Sequence, residues 1–416
     1  MRRSTFLLRA PTSRTPASVL LACIADDLTG ATDLGVTLAR EGLSVVQVNG
    51  VPGPGLEAPQ TDAVVVALKS RTNAPEEAVA WSLAAFAWLR RAGAARFYFK
   101  VCSTFDSTPR GNIGPVADAL LAALGADFAL VTPAYPRNAR TVVRGNLFVG
   151  EVPLAESGMR NHPLTPMTDS NLVRVLGAQT KGRVGLIDCD AAVRERCAAL
   201  RAEGFRYAIV DAIRDEHLIA AGEACVQMPL AVGGAGLAMG IARALAKGAP
   251  RRTAHALPKV AGASVILAGS CSDATLGQVE AARGRYASLK LDPERLDVPA
   301  ALAWAKPKLG AAPVMIYTSA PPAERAAGRA EAIEQAFRDL ARGLAAAGVR
   351  RFVVAGGETS GAVAEALGVQ ALAIGPEIAP GVPWTASLGG EPMLLALKSG
   401  NFGGPDFFMK AFETLP

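Results

Sequence analysis

A chain of 416 residues exceeds the size at which one hydrophobic core usually stops growing, so two domains are expected. Half of the residues are apolar and 19% are charged, a globular balance that argues against intrinsic disorder. The formal charge of +6 is spread without a basic block or interleaved aromatics, which excludes a nucleic-acid-binding stripe, and no uncharged apolar run approaches the roughly 20 residues that cross a bilayer.

The first eighteen residues carry four Arg among Ser, Thr and Pro and read as a disordered extension. Beyond them, β-rich runs alternate with Ala- and Leu-rich stretches. Strands are expected at 19–25, 44–48, 63–68, 96–101, 128–132, 184–187, 206–210 and 228–232, and helices at 75–92, 113–124, 191–202 and 237–246. This order predicts an α/β domain, residues 19–250, with a mainly parallel sheet. Between Gly248 and Gly262 the text turns to Pro, Gly and charge without periodicity, which marks a linker. A second α/β domain, 251–416, then repeats the pattern, with strands at 264–268, 288–291, 314–317, 351–355 and 371–374 and a long helix over about 322–347. The fold class expected is therefore two α/β domains with an active-site cleft between them.

Six Cys (Cys23, Cys102, Cys189, Cys197, Cys225, Cys271) lack CxxC spacing, and three His supply no zinc pattern. They read as reduced thiols of a cytoplasmic protein. His162 is a possible acid or base but more simply structural, and His217 and His255 are placed at the surface.

The chemistry-bearing text sits at strand ends, where an open α/β sheet binds its ligands. Asp26 and Asp27 follow the first strand and precede a helix. Such a pair can hold Mg²⁺, accept a proton from a hydroxyl or fix hydroxyls by hydrogen bonds, and one helix cap explains only one of them. Lys69 and Arg71 end another strand, and Lys100, Ser103, Asp106 and Arg110 lie at or after the next. Cations and hydroxyls so placed suit a carboxylate-bearing polyol, with Arg offering a bidentate fork.

In the second domain, Gly269-Ser270-Cys271-Ser272, Gly356-Gly357-Glu358-Thr359-Ser360 and Lys398-Ser399-Gly400-Asn401-Phe402-Gly403 together resemble a phosphate cradle, in which small residues let backbone amides approach an anion. Thr359 or Ser360 is expected to cap a helix starting near Gly361. No Walker A motif is present, and Gly233-Gly234-Ala235-Gly236 lacks the GxGxxG spacing of a dinucleotide site. A non-catalytic sugar-acid-binding protein is the alternative of another class.

The strings IADDLTGATD, FYFKVCSTFDSTPRGNIGPV, VGEVPLAESGMRNHPLTPM, AGGETSGAV, IAPGVPW and LALKSGNFGGPDFF resemble the four-carbon acid sugar kinase family over roughly residues 19–410. Within it, the STFDST and ESGM-NHP text is most similar to members acting on 3-oxo-tetronates, with threonate and erythronate kinases as alternatives. The resemblance implies an acid-sugar domain followed by an ATP domain, and transfer of the γ-phosphoryl group to a 4-hydroxyl with ATP as Mg-ATP. Nucleotide contacts then fall on Ser272, Gly356, Gly357, Glu358, Thr359 and Gly400. The sugar acid falls to Asp26, Lys69, Arg71, Lys100, Ser103, Arg110 and Arg140, with Asp27, then Asp106, orienting or deprotonating the hydroxyl. Two departures stand out: Ala139-Arg140 replaces the family's Gly-Arg, and residues 1–18 have no counterpart. A homodimer is possible, and no metal ligand is assigned.

Overall fold

The computed structural model describes residues 19–53, 55–162, 164–247, 256–310, 312–321 and 328–415. The expected N-terminal extension, linker residues 248–255 with His255, and residues 322–327 of the long helix lie outside them.

The N-terminal half runs β1 (Leu21–Ala25), α1 (Leu28–Arg40), β2 (Val45–Asn49), β3 (Ala63–Ala67), α2 (Pro75–Arg91), β4 (Phe97–Lys100), α3 (Ile113–Leu124) and β5 (Ala129–Thr132). A small antiparallel sheet follows, of β6 (Arg140–Val143), β7 (Asn146–Val149) and β8 (Val152–Pro153). The half closes with α4 (Leu172–Gly177), β9 (Arg183–Ile187), α5 (Val193–Ala202), β10 (Phe205–Val210), α6 (Asp215–Cys225), β11 (Leu230–Gly233) and α7 (Ala235–Ala246).

The C-terminal half runs β12 (Ala263–Ala268), α8 (Asp273–Arg283), β13 (Ala287–Lys290), α9 (Val298–Ala305), β14 (Val314–Tyr317), α10 (Ala330–Ala346), β15 (Val349–Ala355) and α11 (Gly357–Ala366). It ends with β16 (Ala371–Ala379), β17 (Val382–Leu388), β18 (Leu394–Lys398) and α12 (Phe407–Glu413).

Each half is α/β with mainly parallel pairing, but the halves share one continuous sheet ordered β13-β14-β12-β15-β18-β17-β16-β2-β3-β1-β4-β11-β5-β10-β9. The seam is the antiparallel pairing of β16 with β2, Leu372 opposite Gln47. Three antiparallel steps separate β2 from β18, so the parallel strands of the two halves point in opposite directions. In a flat sheet their carboxyl ends would lie on opposite edges. The hairpin that joins them carries register breaks after Ile374 and Glu377, of the kind that bends a strand, and the ends meet: Lys69, after β3, contacts Glu358 on α11.

Both faces of the sheet are covered, which is why its strands read as unbroken apolar runs. Along β1, Ala22 and Ile24 enter one core and Leu21, Cys23 and Ala25 the other, as a period of two requires. Two further cores flank the C-terminal strands. Cys23, Cys197 and Cys225 are buried free thiols. No helix among the described residues is long and apolar enough to cross a membrane.

Candidate active site

The turn after β1 is stitched to its neighbours by the backbone: Asp26 N–H donates to Lys100 O at 3.1 Å, and Ser70 and Arg71 N–H donate to Asp26 O at 3.0 and 3.2 Å. This draws three strand ends together around buried charges. Arg71 grips Asp26 with both prongs, Nε to Oδ2 at 3.0 Å and Nη2 to Oδ1 at 2.7 Å, and Nη2 also reaches Asp27 Oδ1 at 2.7 Å. Asn112, just before α3, donates to the carbonyls of Ser70 and Arg71 at 2.5 and 3.1 Å and so fixes the arginine's loop.

Asp27 is the acid that makes the helix cap. It caps α1, accepting from Gly30 N–H at 3.0 Å, and takes the Thr29 hydroxyl at 2.8 Å. Burial opposes its ionisation, but Arg71, Lys100 and these hydrogen bonds outweigh burial and hold the carboxyl below its ordinary range. For Asp26, burial is the larger influence and pushes the carboxyl up against the pull of Arg71. Asp106 accepts from Thr104 Oγ1 at 2.5 Å, and its Oδ2 lies 3.9 Å from Arg71 Nη1. The preceding Phe105 is fully buried with φ 52, a left-handed conformation that costs a bulky residue roughly 1–2 kcal/mol. Strain of this kind is held only where packing over-determines it.

Lys100 is buried, donates to Val101 O at 2.8 Å, and faces Asp26, Asp27 and Asp33 electrostatically. Asp33, the last acid of the IADDLTGATD string, was not singled out by sequence reasoning. It is buried on α1 with Oδ1 lacking a hydrogen-bond partner, and Oδ1 lies 3.1 Å from where a Cβ on Gly381 would stand. Burial pushes its carboxyl up to about 6. Its signal in the text was a third acid six residues beyond Asp27, on the helix that the first pair opens.

Other expected residues sit outside this group. Ser103 is half-buried beside it. Arg110 is exposed, and its backbone N–H meets Thr108 Oγ1 at 3.3 Å. Arg140 stands on β6 and donates to Asn138 O at 2.5 Å, after Ala139 at φ 54, the left-handed region in which the family's glycine is at ease. Lys69 is not a free rim cation: its ammonium bonds Glu358 at 2.6 Å and lies 3.9 Å from Glu334.

Across from these strand ends, three glycine-bearing segments converge. Ser272 caps α8, accepting from Thr275 N–H at 3.2 Å, and its hydroxyl donates to Gly400 O at 2.7 Å. A Cβ at Gly269 would stand 2.2 Å from Thr359 Oγ1, and one at Gly400 2.3 Å from Ser270 Oγ, so a side chain at either position would displace a hydroxyl of the cradle. α11 starts at Gly357 after Gly356 at φ 128, without a side-chain cap. The expected cap by Thr359 or Ser360 is therefore wrong: glycine alone makes the turn, and both residues lie in the first helical turn. A cavity of about 420 Å³ opens over Gly269, Ser270, Thr318, Glu334, Gly356 and Thr359. Lys398, which sequence reasoning quoted without a role, is fully buried beneath the loop. Like Lys69 and Lys100, it closes an apolar strand, and that shared position was its signal.

Other polar features are occupied structurally. A cavity of about 510 Å³ near α3 is lined by Asp118, Gln179 and Arg206, but Asp118 is taken by Thr180, Tyr207 and Arg206. His162 Nδ1 accepts from Thr165 N–H at 3.0 Å, a turn contact. His217 is buried, not at the surface, because Ile213 N–H and Arg214 enclose its ring. It shares a cluster with Cys189 and Asp190, where the Arg214 guanidinium 3.0 Å from Nε2 opposes a cation. A Cβ on Gly233 would stand 2.3 Å from Thr132 O, so Gly233 lets the end of β11 lie close to β5, and Gly234 is the N-cap of α7.

Fold and site together define a two-domain α/β protein whose polar residues face each other at strand ends: carboxylates and cations on one side, glycine-lined helix starts on the other. Residues 21–241 match the family model described as a sugar-binding N-terminal domain, and residues 265–408 the one described as a nucleotide-binding C-terminal domain. The chain belongs to the four-carbon acid sugar kinase family. It is similar to the 3-oxo-tetronate kinase of Cupriavidus necator, 53% identical over 95% of this chain and 97% of that one. The 3-oxo-tetronate kinase of Methylobacterium radiotolerans is 54% identical over 96% of this chain and all of its own. Among solved structures, a Salmonella typhimurium protein superimposes with TM-score 0.88 at 43% identity, covering 95% and 99% of the two chains. A Haemophilus influenzae protein does so with TM-score 0.81 at 44% identity over 94% and 99%.

Proposed function

We propose that this chain is an ATP-dependent kinase that transfers the γ-phosphoryl group of ATP to the 4-hydroxyl of a 3-oxo-tetronate, giving the 4-phosphate and ADP. Its acid-sugar domain would be residues 19–250 and its nucleotide domain 251–416. The observation that carries the reading is the Lys69–Glu358 contact, which brings the charged strand ends of one half against the glycine cradle of the other. The relatives named 3-oxo-tetronate kinase match 95% and 96% of the chain at 53% and 54% identity in the two cases above.

The group sets four carboxyls, the buried Asp26, Asp33 and Asp106 and the half-buried Asp27, against two cations, the half-buried Arg71 and the buried Lys100. Such a surface suits the hydroxyl-bearing end of the substrate, and its carboxylate belongs toward Ser103, Arg110 and Arg140. Asp27 is saturated by its cap, Thr29 and Arg71, so it orients. Asp106 Oδ2, with its nearest cation at 3.9 Å, is the better receiver of the hydroxyl proton. Ser272, Gly356, Gly357, Thr359 and Gly400 line the phosphate side, and Glu358 holds Lys69 at its mouth.

Glycines that leave the backbone bare and two helix starts, α8 and α11, fit a polyphosphate. Asp26 and Asp27 do not fit Mg²⁺, because Arg71 holds three of their four carboxylate oxygens, Thr29 takes the fourth, and Arg71 and Lys100 together balance their charge; no residue of this chain is assigned to the ion. Arriving with ATP, Mg²⁺ supplies charge neutralisation, while the protein's share of phosphoryl transfer is positioning.

The test is ATP consumption against a panel of 3-oxo-tetronates, threonates, erythronates and a longer aldonate, with the phosphate position read by NMR. Selective formation of a 3-oxo-tetronate 4-phosphate is expected. Turnover of plain aldonates only would change the substrate, and no turnover with any of them would leave a sugar-acid-binding protein. Asp106→Asn is expected to lower kcat about 10²–10⁴-fold, the usual range for a general base, with ATP affinity nearly intact; full turnover in the variant would remove Asp106 from the role.

A further inference from the structure

Beneath the glycine cradle lies a cation with no opposite charge paired to it among the described residues. The Lys398 ammonium donates to Thr275 Oγ1 and to Gly400 O, each at 3.0 Å, and stands 5.9 Å from the Phe407 ring centroid. The groups that touch the ammonium are neutral: α8 contributes the Thr275 hydroxyl, α12 the Phe407 ring, and the 399–404 loop a carbonyl, while Gly356 N–H after β15 donates to Lys398 O at 2.9 Å. Of the acids near these partners or on the elements packed against β18, Asp273, Asp406 and Glu358 are exposed, Glu358 is paired with Lys69, and the buried Asp33 of α1 lies against Gly381; among the described residues no ion pair reaches Lys398. Lys100, at the matching place in the other half, faces three aspartates.

A buried ammonium answered only by neutral oxygens is costly, because the interior solvates charge poorly. Burial alone pushes Lys398 down to about 7. The Gly400 carbonyl also receives Ser272 Oγ at 2.7 Å and Thr275 Oγ1 at 2.9 Å. One ammonium and two hydroxyls therefore converge on one carbonyl, tying the end of β18, the start of α8 and the glycine loop into a single knot.

We propose that Lys398 is a positioning residue for the nucleotide: it holds the Ser272–Gly400 knot under the phosphates and is their buried counter-charge, so that nucleotide binding and protonation of Lys398 are coupled. This rests on the reading that phosphates bind at this cradle. A ligand that favours the charged form raises that group's pKa, and takes up a proton wherever the free protein has lost it. Below pH 7 Lys398 already carries its charge; above it, binding must supply the proton.

The experiment is calorimetric titration with MgADP at pH 6 and pH 8, each in two buffers of different ionisation enthalpy. The native protein is expected to take up about one proton per ADP at pH 8 and almost none at pH 6. Lys398→Met is expected to bind at pH 6 roughly 10- to 100-fold more weakly, the scale for losing one charge-assisted partner, and to take up no proton at pH 8. Absence of uptake by the native protein at pH 8 overturns the proposal whether or not the variant folds, as does native uptake in a folded Lys398→Met. Gly400→Val separates the two readings. If it abolishes binding while Lys398→Met binds as the native protein does, the phosphate site stands without Lys398; if it binds as the native protein does, both fall.

Discussion

Asp33 shows what a single buried acid does to the stability of this protein. Its carboxyl is raised from 3.8 to about 6 in the fold by burial, so between those values the native state holds a proton that the unfolded chain has released. Stability from this group therefore falls as pH rises through that window, and the loss is complete above it, on the order of 3 kcal/mol from the size of the shift. Asp33→Asn is expected to raise Tm at pH 8, by a gain of about 1–3 kcal/mol, and to change it little at pH 4. Thermal scans at the two pH values decide this; an equal effect at both would place the cost elsewhere than in the charge. That the chain keeps a charge-prone group here, with one oxygen unpartnered, fits its place beside Lys100 and Asp27 better than a packing role.

At the scale of elements, the crossing of α6 and α7 depends on two glycines. A Cβ on Gly222 would lie 2.3 Å from the Gly240 carbonyl carbon, and one on Gly240 2.3 Å from Leu218 O. Both obstacles are backbone, so neither can rotate away. Gly222→Ala is expected to destabilise by about 1–3 kcal/mol, the cost of overpacking. Gly277, inside α8, has nothing within 4 Å of its Cβ position, and Gly277→Ala should stabilise by roughly 0.5–1 kcal/mol through helix propensity. Urea unfolding of the two variants checks the pair, and shifts of the same sign in both would refute the close-approach account.

For the whole molecule, the seam between β2 and β16 makes the halves interdependent. Gln47 on β2 is fully buried and takes the Thr32 hydroxyl at 3.0 Å. Ile374 of β16 packs in the N-terminal core, 3.0 Å from the Cβ position of Gly35, and Arg40 bonds Glu377. Residues 19–247 produced alone would expose β2, an apolar edge (Val45, Val46, Gln47, Val48, Asn49) without Lys or Pro to protect it. Size-exclusion chromatography of that fragment is expected to show oligomers or aggregate; a clean monomer would mean that the seam is not needed to cover the edge.

Much of this was readable before any coordinates. The strand at Val314–Tyr317 and the helix at Ile113–Leu124 coincide with their expected bounds, and most others shift by one or two residues, because burial on both faces and Ala-rich periodicity are local signals. The strands β17 and β18 and the small sheet β6-β7-β8 were not read: Val382–Leu388 carries Pro, Trp and Thr within seven residues, Leu394–Lys398 is five residues running straight into glycine-rich text, and β8 is two residues long, too little for any period to register. By itself the sequence determined the α/β alternation, the glycine turns and the strand-end acids and cations, since each rests on the intrinsic preferences of a few adjacent residues. Only the tertiary structure decided that the halves share one sheet, that Arg71 claims Asp26 and Asp27 together, and that Lys398 lies buried without a counter-charge. Those facts depend on pairings between residues tens or hundreds of positions apart, and on which side chains folding removes from water.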